Sequence, residues 1–416
     1  MSDEIAASAA DLDANDDLRG FADRFEFPAS ADGSRSLYFT GNSLGLMPKK
    51  VREYVGQELD DWSRLAVEGH LHAKNPWLPY HEFLTEPMAR VVGALPTETI
   101  VMNGLTVNLH LMMVSFYRPT AERYKIVIEK GAFPSDQYAV ESQIEFHGFD
   151  AKDSLIELTP RVSEPTLRTE DILDTIYREG GSVALIMLGG VNYYTGQAFD
   201  IPAITAAGHA KGCVVGFDCA HAAGNLELKL HDWDVDFAVW CAYKYLNGGP
   251  GGVAGAFVHE RHSRAFDLPR FAGWWGNNKQ TRFLMGPDFD CLAGAEGWQL
   301  SNPPILQMAA LRASLEIFDE ATMPALRAKS LKLTAYLESR LKDIGGIQII
   351  TPTDPAQRGC QLSIRVGGKG LHDRLSARGV FVDWREPDVI RVAPVPLYNS
   401  FEDVHRFAII LKECLT

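Results

Sequence analysis

The 416-residue sequence predicts an α/β fold: a large domain built on a mostly parallel sheet, followed by a smaller C-terminal α+β domain. Three observations carry this. Between about residue 98 and residue 258, short apolar runs alternate with helix-like segments. The runs, KIVIE, VALIML and CVVGF among them, are apolar throughout rather than alternating, as expected where both faces of a sheet are covered. Strand–helix–strand order in one sheet makes the strands parallel. After about residue 305 the pattern changes to a long amphipathic helix, an alternating strand and a closing helix.

In chain order, residues 1 to about 35 are acidic and Ala/Asp-rich and read as a partly ordered arm. Ser36–Thr40 reads as a short strand. Pro48 to Trp62 has helical spacing in Val51, Tyr54, Val55, Leu59 and Trp62. The segment HLHAKNPWLPYHEF reads as a loop with packing anchors or a pocket wall. Ile100–Met102 enters a buried helix, Thr106–Tyr117. Lys125–Glu129 is a strand, Tyr138–Phe146 a helix, Val183–Leu188 a strand, Pro202–Lys211 a helix and Cys213–Phe217 a strand. Phe237–Trp240 and Gly255–Val258 follow as strands. Met323–Ile344 is a long helix with Pro324 in its first turn and Gly345-Gly346 at its end. Gln361–Val366 alternates like a half-exposed strand. Leu371–Arg378 is a short helix, Val380–Asp383 and Val389–Val392 are strands, and Phe401–Leu415 is a helix. The expected organisation is an N-terminal arm and small-domain segment (1–72), a large domain (73–308) and a small domain (309–416).

Composition excludes several classes. Hydrophobic residues make up 46% and charged residues 23%, which suits a packed core rather than a disordered chain. The net charge of −14 argues against a sequence-independent grip on nucleic acid or an anionic membrane. Six acids precede the first base, Arg19, so part of this acidity belongs to the arm. The six cysteines include no C-x-x-C pair, which disfavours a disulfide framework or a cysteine zinc site and predicts no metal. With no signal-peptide pattern and no apolar run near ~20 residues, a cytoplasmic location is expected.

Two motif matches fail on context. Gly41-Asn42-Ser43-Leu44-Gly45 fits G-x-S-x-G, but too little sheet precedes it to build a nucleophile elbow; it reads as a tight glycine turn near the active site. Gly249-Pro250-Gly251-Gly252-Val253-Ala254 fits G-x-G-x-x-A, but a strand follows it, so no helix N-terminus awaits a pyrophosphate.

Three features fall at ends of predicted core strands, where ligands bind in open α/β sheets: Asp218 with His221, Tyr243-Lys244, and Asn103-Gly104-Leu105-Thr106. Singly, each has a mundane explanation: a helix cap, a solvated lysine, a helix start. Together they suit pyridoxal 5′-phosphate. Lys244 offers the amine for a Schiff base. Asp218 offers the carboxylate against the pyridinium nitrogen. The helix start at Leu105-Thr106 offers N–H donors and a favourable dipole for a phosphate. Phe133 offers an aromatic face.

An ordered set of segments then resembles the kynureninases, fold-type-I enzymes of the aspartate aminotransferase superfamily. These are GNSLG (41–45), LTVNLH (105–110), FPSD (133–136), YTGQ (194–197), FDCAHAAGN (217–225), YKYLNGGPGG (243–252), GWWG (273–276), SNPP (301–304) and RVAPVPLYNS (391–400). The resemblance implies that Lys244 holds the cofactor and shuttles protons. Asp218, assisted by Asp136, pairs with the ring nitrogen, and His221 orients that carboxylate. Phe133 stacks on the ring. Leu105, Thr106, Ser135 and Tyr243 surround the cofactor, with Tyr243 also a general acid. Trp274 and Asn302 correspond to residues entering from a partner subunit, so a homodimer with shared active sites is implied. Arg391 would clamp the substrate α-carboxylate, and His70, Ser301 and Asn302 would surround the substrate ring. Some members carry Ser where this chain has Gly189, which puts one hydroxyl contact in doubt.

The implied reaction is hydrolytic Cβ–Cγ cleavage of L-kynurenine and/or 3-hydroxy-L-kynurenine to anthranilate or 3-hydroxyanthranilate plus L-alanine, in the kynurenine pathway of tryptophan catabolism and NAD biosynthesis. His70 with Ser301 and Asn302 resembles members favouring the hydroxylated substrate. The alternatives are a β-lyase or desulfurase using the same cofactor, and a non-catalytic binding protein of the same fold.

Overall fold

The computed structural model describes residues 8–30 and 33–415; the first seven residues of the expected acidic arm lie outside the described residues. Seven strands form the central sheet: β1 Thr99–Met102, β2 Lys125–Glu129, β3 Leu155–Leu158, β4 Val183–Gly189, β5 Val214–Asp218, β6 Phe237–Cys241 and β7 Ala254–Val258. Their spatial order is β1-β7-β6-β5-β4-β2-β3. Strands β3, β2, β4, β5 and β6 pair in parallel, whereas β7 is antiparallel to both β6 and β1. The reversal has a local cause: β6 and β7 are joined by a glycine-rich loop with no crossover helix, and a short connection returns the chain antiparallel.

Both faces of the sheet are buried, as the unbroken apolar runs require. Alternate residues feed two separate cores. Ile126, Ile128, Leu185, Met187, Phe237 and Val239 pack with helices Leu105–Phe116 and Pro134–Phe146. Val127, Ile186, Leu188, Phe217 and Trp240 pack on the other face with helices Glu82–Val92, Thr169–Glu179, Ile201–Ala210 and Ile305–Ala321. Three of these helices, Glu82–Val92, Thr169–Glu179 and Ile305–Ala321, and strand β3 were not anticipated. Pro87 inside the first masks its periodicity, and the second buries only Ile172 and Ile176, too narrow a stripe to read.

Helix Val51–Leu65 corrects the sequence reading of its face. Leu59 and Trp62 are exposed, while Glu58 and Asp61 are buried. The reason is polar. Glu58 accepts hydrogen bonds from Asn75 Nδ2 (2.8 Å), Trp77 Nε1 (2.9 Å) and the Tyr80 hydroxyl (3.2 Å), and Asp61 accepts the Lys74 amide at 3.0 Å. Buried carboxylates need such partners, and here they tie the His- and aromatic-rich loop to the helix.

The C-terminal unit is a four-stranded antiparallel sheet, β8 Gln348–Ile349, β9 Leu362–Arg365, β10 Asp383–Arg385 and β11 Val389–Val392, ordered β8-β9-β11-β10. Helices Met323–Leu341, Gly370–Ala377 and Phe401–Leu415 share its core. Strand β9, expected half-exposed, is almost wholly buried: Leu362 and Ile364 pack with the helices of this unit, and Ser363 between them donates its hydroxyl to the Tyr194 carbonyl at 2.6 Å. The expected strand Val380–Asp383 is divided: Val380–Phe381 pairs in parallel with Leu37–Tyr38, and Asp383 opens β10. From residue 8 onward the acidic arm is built into this unit. Asp13 accepts the Phe401 and Glu402 amides (2.8 and 3.0 Å) at a helix N-terminus, and Asp16 pairs with buried Lys329 at 2.7 Å. Acids at a helix start are stabilising, so part of the charge reserved for a tail has a structural use. All six cysteines are unpaired thiols, and five are buried.

Candidate active site

The carboxyl ends of the parallel strands converge on one open cleft of about 530 Å³. Strand β2 ends in Glu129, β4 in Gly189 and β5 in Asp218, and Tyr243-Lys244 follows β6. All line the cleft, together with Leu105, Thr106, Phe133, Ser135, Asp136 and His221. Nine of the expected site residues therefore come together: Leu105, Thr106, Phe133, Ser135, Asp136, Asp218, His221, Tyr243 and Lys244.

Two helix N-termini meet at one end. Helices Leu105–Phe116 and Pro134–Phe146 begin beside the cleft, neither capped by a side chain. Their first turns touch through the Thr106 and Ser135 hydroxyls at 2.8 Å. Uncapped amides at two neighbouring helix N-termini form a site for an anion such as a phosphate. Phe133, at the second N-terminus, leaves its ring 46% exposed in the cleft. Tyr193 meets it edge-on with ring centroids 5.3 Å apart, and Lys244 Nζ lies 5.8 Å from its centroid.

The floor is acidic and dry. Asp218 accepts the Ala220 amide at 2.7 Å. Burial raises its proton affinity, while Lys244 and the Ala220 amide pull it back down. Asp136 is pushed well above the usual carboxylate range, first by burial and then by the Asp218 charge. Asp136 thus keeps its proton and Asp218 remains the base of the pair. His221 is kept neutral, first by burial and then by the Lys244 charge. Burial also raises the Tyr243 phenol, so it stays a proton donor at neutral pH.

Glu129 was missed. It is the last residue of the KIVIE strand, so its position at a strand's carboxyl end was the available signal. Burial pushes its carboxyl up to about 7. It accepts the Gly189 amide at 3.2 Å, and a Cβ on Gly189 would lie 2.9 Å from its Oε1. The space that a serine side chain would need at 189 is thus bordered by the Glu129 carboxyl. Tyr193, one residue before the YTGQ segment, also lines the cleft unanticipated.

The GNSLG turn has a structural role here. The Gly45 amide donates to the Tyr243 carbonyl at 2.8 Å, and a Cβ at Gly45 would collide with the Lys244 carbonyl oxygen. Only glycine allows this close approach, which buttresses the Tyr243-Lys244 backbone.

Five expected site residues do not line this cleft. Ser301 and Asn302 are exposed. Trp274 is 40% exposed and donates its Nε1 to the Arg282 carbonyl at 3.0 Å. His70 packs edge-on against Trp77 at 5.4 Å. Arg391 is buried, bonded to Asp383 and to the Tyr193 carbonyl.

The donor set fits pyridoxal phosphate. It offers an amine, a buried carboxylate backed by a second acid, an open aromatic face, and hydroxyls with free amides for a phosphate. Two buried polar atoms at the site, His221 Nδ1 and Asp136 Oδ1, have no hydrogen-bond partner among the described residues, as expected where a ligand completes the network. The two His/Glu groupings elsewhere are already engaged. Glu98 is held by His231 (2.9 Å) and the Glu260 amide (2.8 Å), and Glu296 by His81 and Lys279, both at 2.8 Å.

The Kynureninase C-terminal domain family matches residues 326–411. A kynureninase of Koribacter versatilis (strain Ellin345) is 64% identical over 96% of this chain and 95% of its own length. One of Myxococcus xanthus (strain DK1622) is 63% identical over 99% of this chain and 98% of its own. Among solved structures, the cysteine desulfurase CsdA of Escherichia coli superposes with a TM-score of 0.78 at 16% identity, covering 96% of this chain and 98% of that one. A C-DES variant with glycine covalently linked to its PLP cofactor superposes with a TM-score of 0.78 at 15% identity, covering 91% and 96%. These structural likenesses establish the fold-type-I architecture, and the full-length identities make the chain a member of the kynureninase family.

Proposed function

We propose that this chain hydrolyses the Cβ–Cγ bond of L-kynurenine and/or 3-hydroxy-L-kynurenine with pyridoxal 5′-phosphate, releasing anthranilate or 3-hydroxyanthranilate and L-alanine. The observation that carries the reading is the convergence of Lys244, Asp218, Asp136 and Phe133 on one cleft with two uncapped helix N-termini, in a chain 64% identical to a kynureninase.

When bound, the cofactor supplies an electron sink for the pair released as substrate bonds break. The protein residues do the rest. Lys244 Nζ holds the cofactor and then carries protons to and from the substrate α-carbon. Asp218 keeps the ring nitrogen protonated, and Asp136, itself protonated, keeps Asp218 a single negative charge. His221 stays neutral beside them. Phe133 covers one ring face and limits water there. Thr106, Ser135 and the amides from Leu105 onward bind the phosphate. Tyr243, protonated at neutral pH, delivers a proton at the cleavage step or holds the water that does. Arg391 pairs with the α-carboxylate.

His70, Ser301 and Asn302 are assigned to the substrate ring, and Trp274 and Asn302 to the neighbouring site of a homodimer. Residues 1–72, 73–308 and 309–416 would act as arm, cofactor domain and small domain. A cytoplasmic setting is consistent with reduced thiols; among the described residues no helix is long and apolar enough to cross a membrane.

The test is product analysis with purified protein, L-kynurenine and 3-hydroxy-L-kynurenine, with and without added pyridoxal phosphate. Cofactor-dependent formation of an anthranilate and L-alanine in equal amounts is expected. Failure of both substrates to yield an anthranilate refutes the reading.

A further inference from the structure

A buried guanidinium needs a counter-charge or a ligand. Arg391 on β11 is 1% exposed and stands directly opposite Asp383 of β10 in the antiparallel register. Its Nη2 donates to Asp383 Oδ2, and its Nη1 donates to the Tyr193 carbonyl at 2.9 Å. The same Asp383 oxygen also receives Arg385 Nη2 at 3.0 Å. Arg385 ends β10 and donates once more, to the Trp384 carbonyl at 3.1 Å.

Two cations therefore share one carboxylate oxygen. The hydrogen-bond acceptors of the other hairpin acids are turned elsewhere. Glu386 accepts Trp384 Nε1 at 2.8 Å, and Asp388 is held by the Tyr194 hydroxyl at 2.8 Å and Arg365 at 3.0 Å. The Nε atoms of both Arg385 and Arg391 are buried with no acceptor among the described residues. Both charges also reach His221 in the cleft, where they add to burial and Lys244 in keeping the imidazole neutral. Tyr193, whose carbonyl Arg391 holds, lines the same cleft.

We propose that Arg385 is a second, specificity-determining cation of the substrate α-carboxylate site, held beside Arg391 by their shared Asp383. This rests on the assignment of the α-carboxylate to Arg391. A carboxylate takes guanidinium N–H donors that nothing else uses.

The test titrates the holoenzyme calorimetrically with L-alanine, which carries the carboxylate, and with L-alaninamide, which lacks it. Arg385→Gln is expected to weaken L-alanine binding about tenfold, as for loss of one charged hydrogen bond, and to change L-alaninamide binding by less than about twofold. An equal change in both ligands, or in neither, overturns the proposal. Arg391→Gln is run in parallel. If it too fails to discriminate between the ligands, the carboxylate assignment itself falls. If it discriminates and Arg385→Gln does not, only the role of Arg385 falls. Should Arg385→Gln not fold, Arg385→Lys keeps the charge but loses the fork. A selective loss for L-alanine is then expected, and its absence overturns the proposal.

Discussion

The cofactor cleft and the proposed substrate shell differ in how they are held. The cleft is made from strand ends and helix starts of one domain: Glu129, Gly189, Asp218 and Lys244 follow adjacent strands, and Thr106 and Ser135 touch across two first turns. Its geometry is a by-product of sheet pairing. The shell assigned to the substrate is scattered over a Glu58-braced loop (His70), exposed segments (Trp274, Ser301, Asn302) and the small domain (Arg391). A parallel sheet places its own loops with high fidelity. Loops remote from it need a further surface to define them.

Four experiments break or sharpen this contrast. The largest effect is expected for Lys244→Ala. Cleavage should fall at least about a thousandfold, as for loss of a group acting in both attachment and proton transfer. The visible band of lysine-bound cofactor should vanish from the absorption spectrum. Retention of that band would mean the cleft is misassigned.

Next is a complementation experiment on the shell. Co-produced Lys244→Ala and Trp274→Ala chains, each inactive alone, should recover about a quarter of the wild-type activity per chain if sites are shared across a two-fold dimer. Half the dimers are then mixed, with one intact site in two. No recovery would place the action of Trp274 within its own chain.

Gly45→Ala should lower stability by about 1–3 kcal/mol, because the methyl collides with the Lys244 carbonyl. Urea unfolding of the apoprotein measures it. An unchanged midpoint would show that the Tyr243-Lys244 backbone is not braced there.

The last experiment reads a pH slope. Glu129 is raised from 4.5 to about 7 in the folded chain by burial. A raised folded value means that the native state holds the proton longer than the unfolded chain, so stability is full below about pH 4.5 and declines as pH rises toward 7. Glu129→Gln removes this term. Relative to wild type, the variant should gain stability over that window, on the order of 3 kcal/mol at most, in apoprotein melting curves. Parallel curves for the two proteins would mean that Glu129 is ionised in the cleft.

Most strands of the large domain and the three chemical features at their ends were legible because a buried parallel strand writes itself as an uninterrupted apolar run, and the residue after it is where ligands bind; β3, only half-buried, gave no such run. CVVGF, before Asp218, and Phe237–Trp240, before Tyr243-Lys244, pointed to the cleft in this way. The helix at Val51–Leu65 was legible as a helix but not in its orientation, since Glu58 and Asp61 are buried by partners over ten residues away. Glu129 was overlooked because an acid closing a strand looks like an ordinary polar stop.

By itself the sequence determined the fold class and the chain order of most core strands, and it pointed to Lys244, Asp218 and Phe133, which the fold brings to one cleft. Periodicity and composition are local, and these properties depend on them. Only the tertiary structure decided which acids share the cleft floor, that Gly45 rests against Lys244, and that Arg385 and Arg391 meet on one oxygen of Asp383. Those are contacts between segments distant in sequence or brought into register by pairing, and their energies depend on burial and charge neighbours that no single stretch of chain contains.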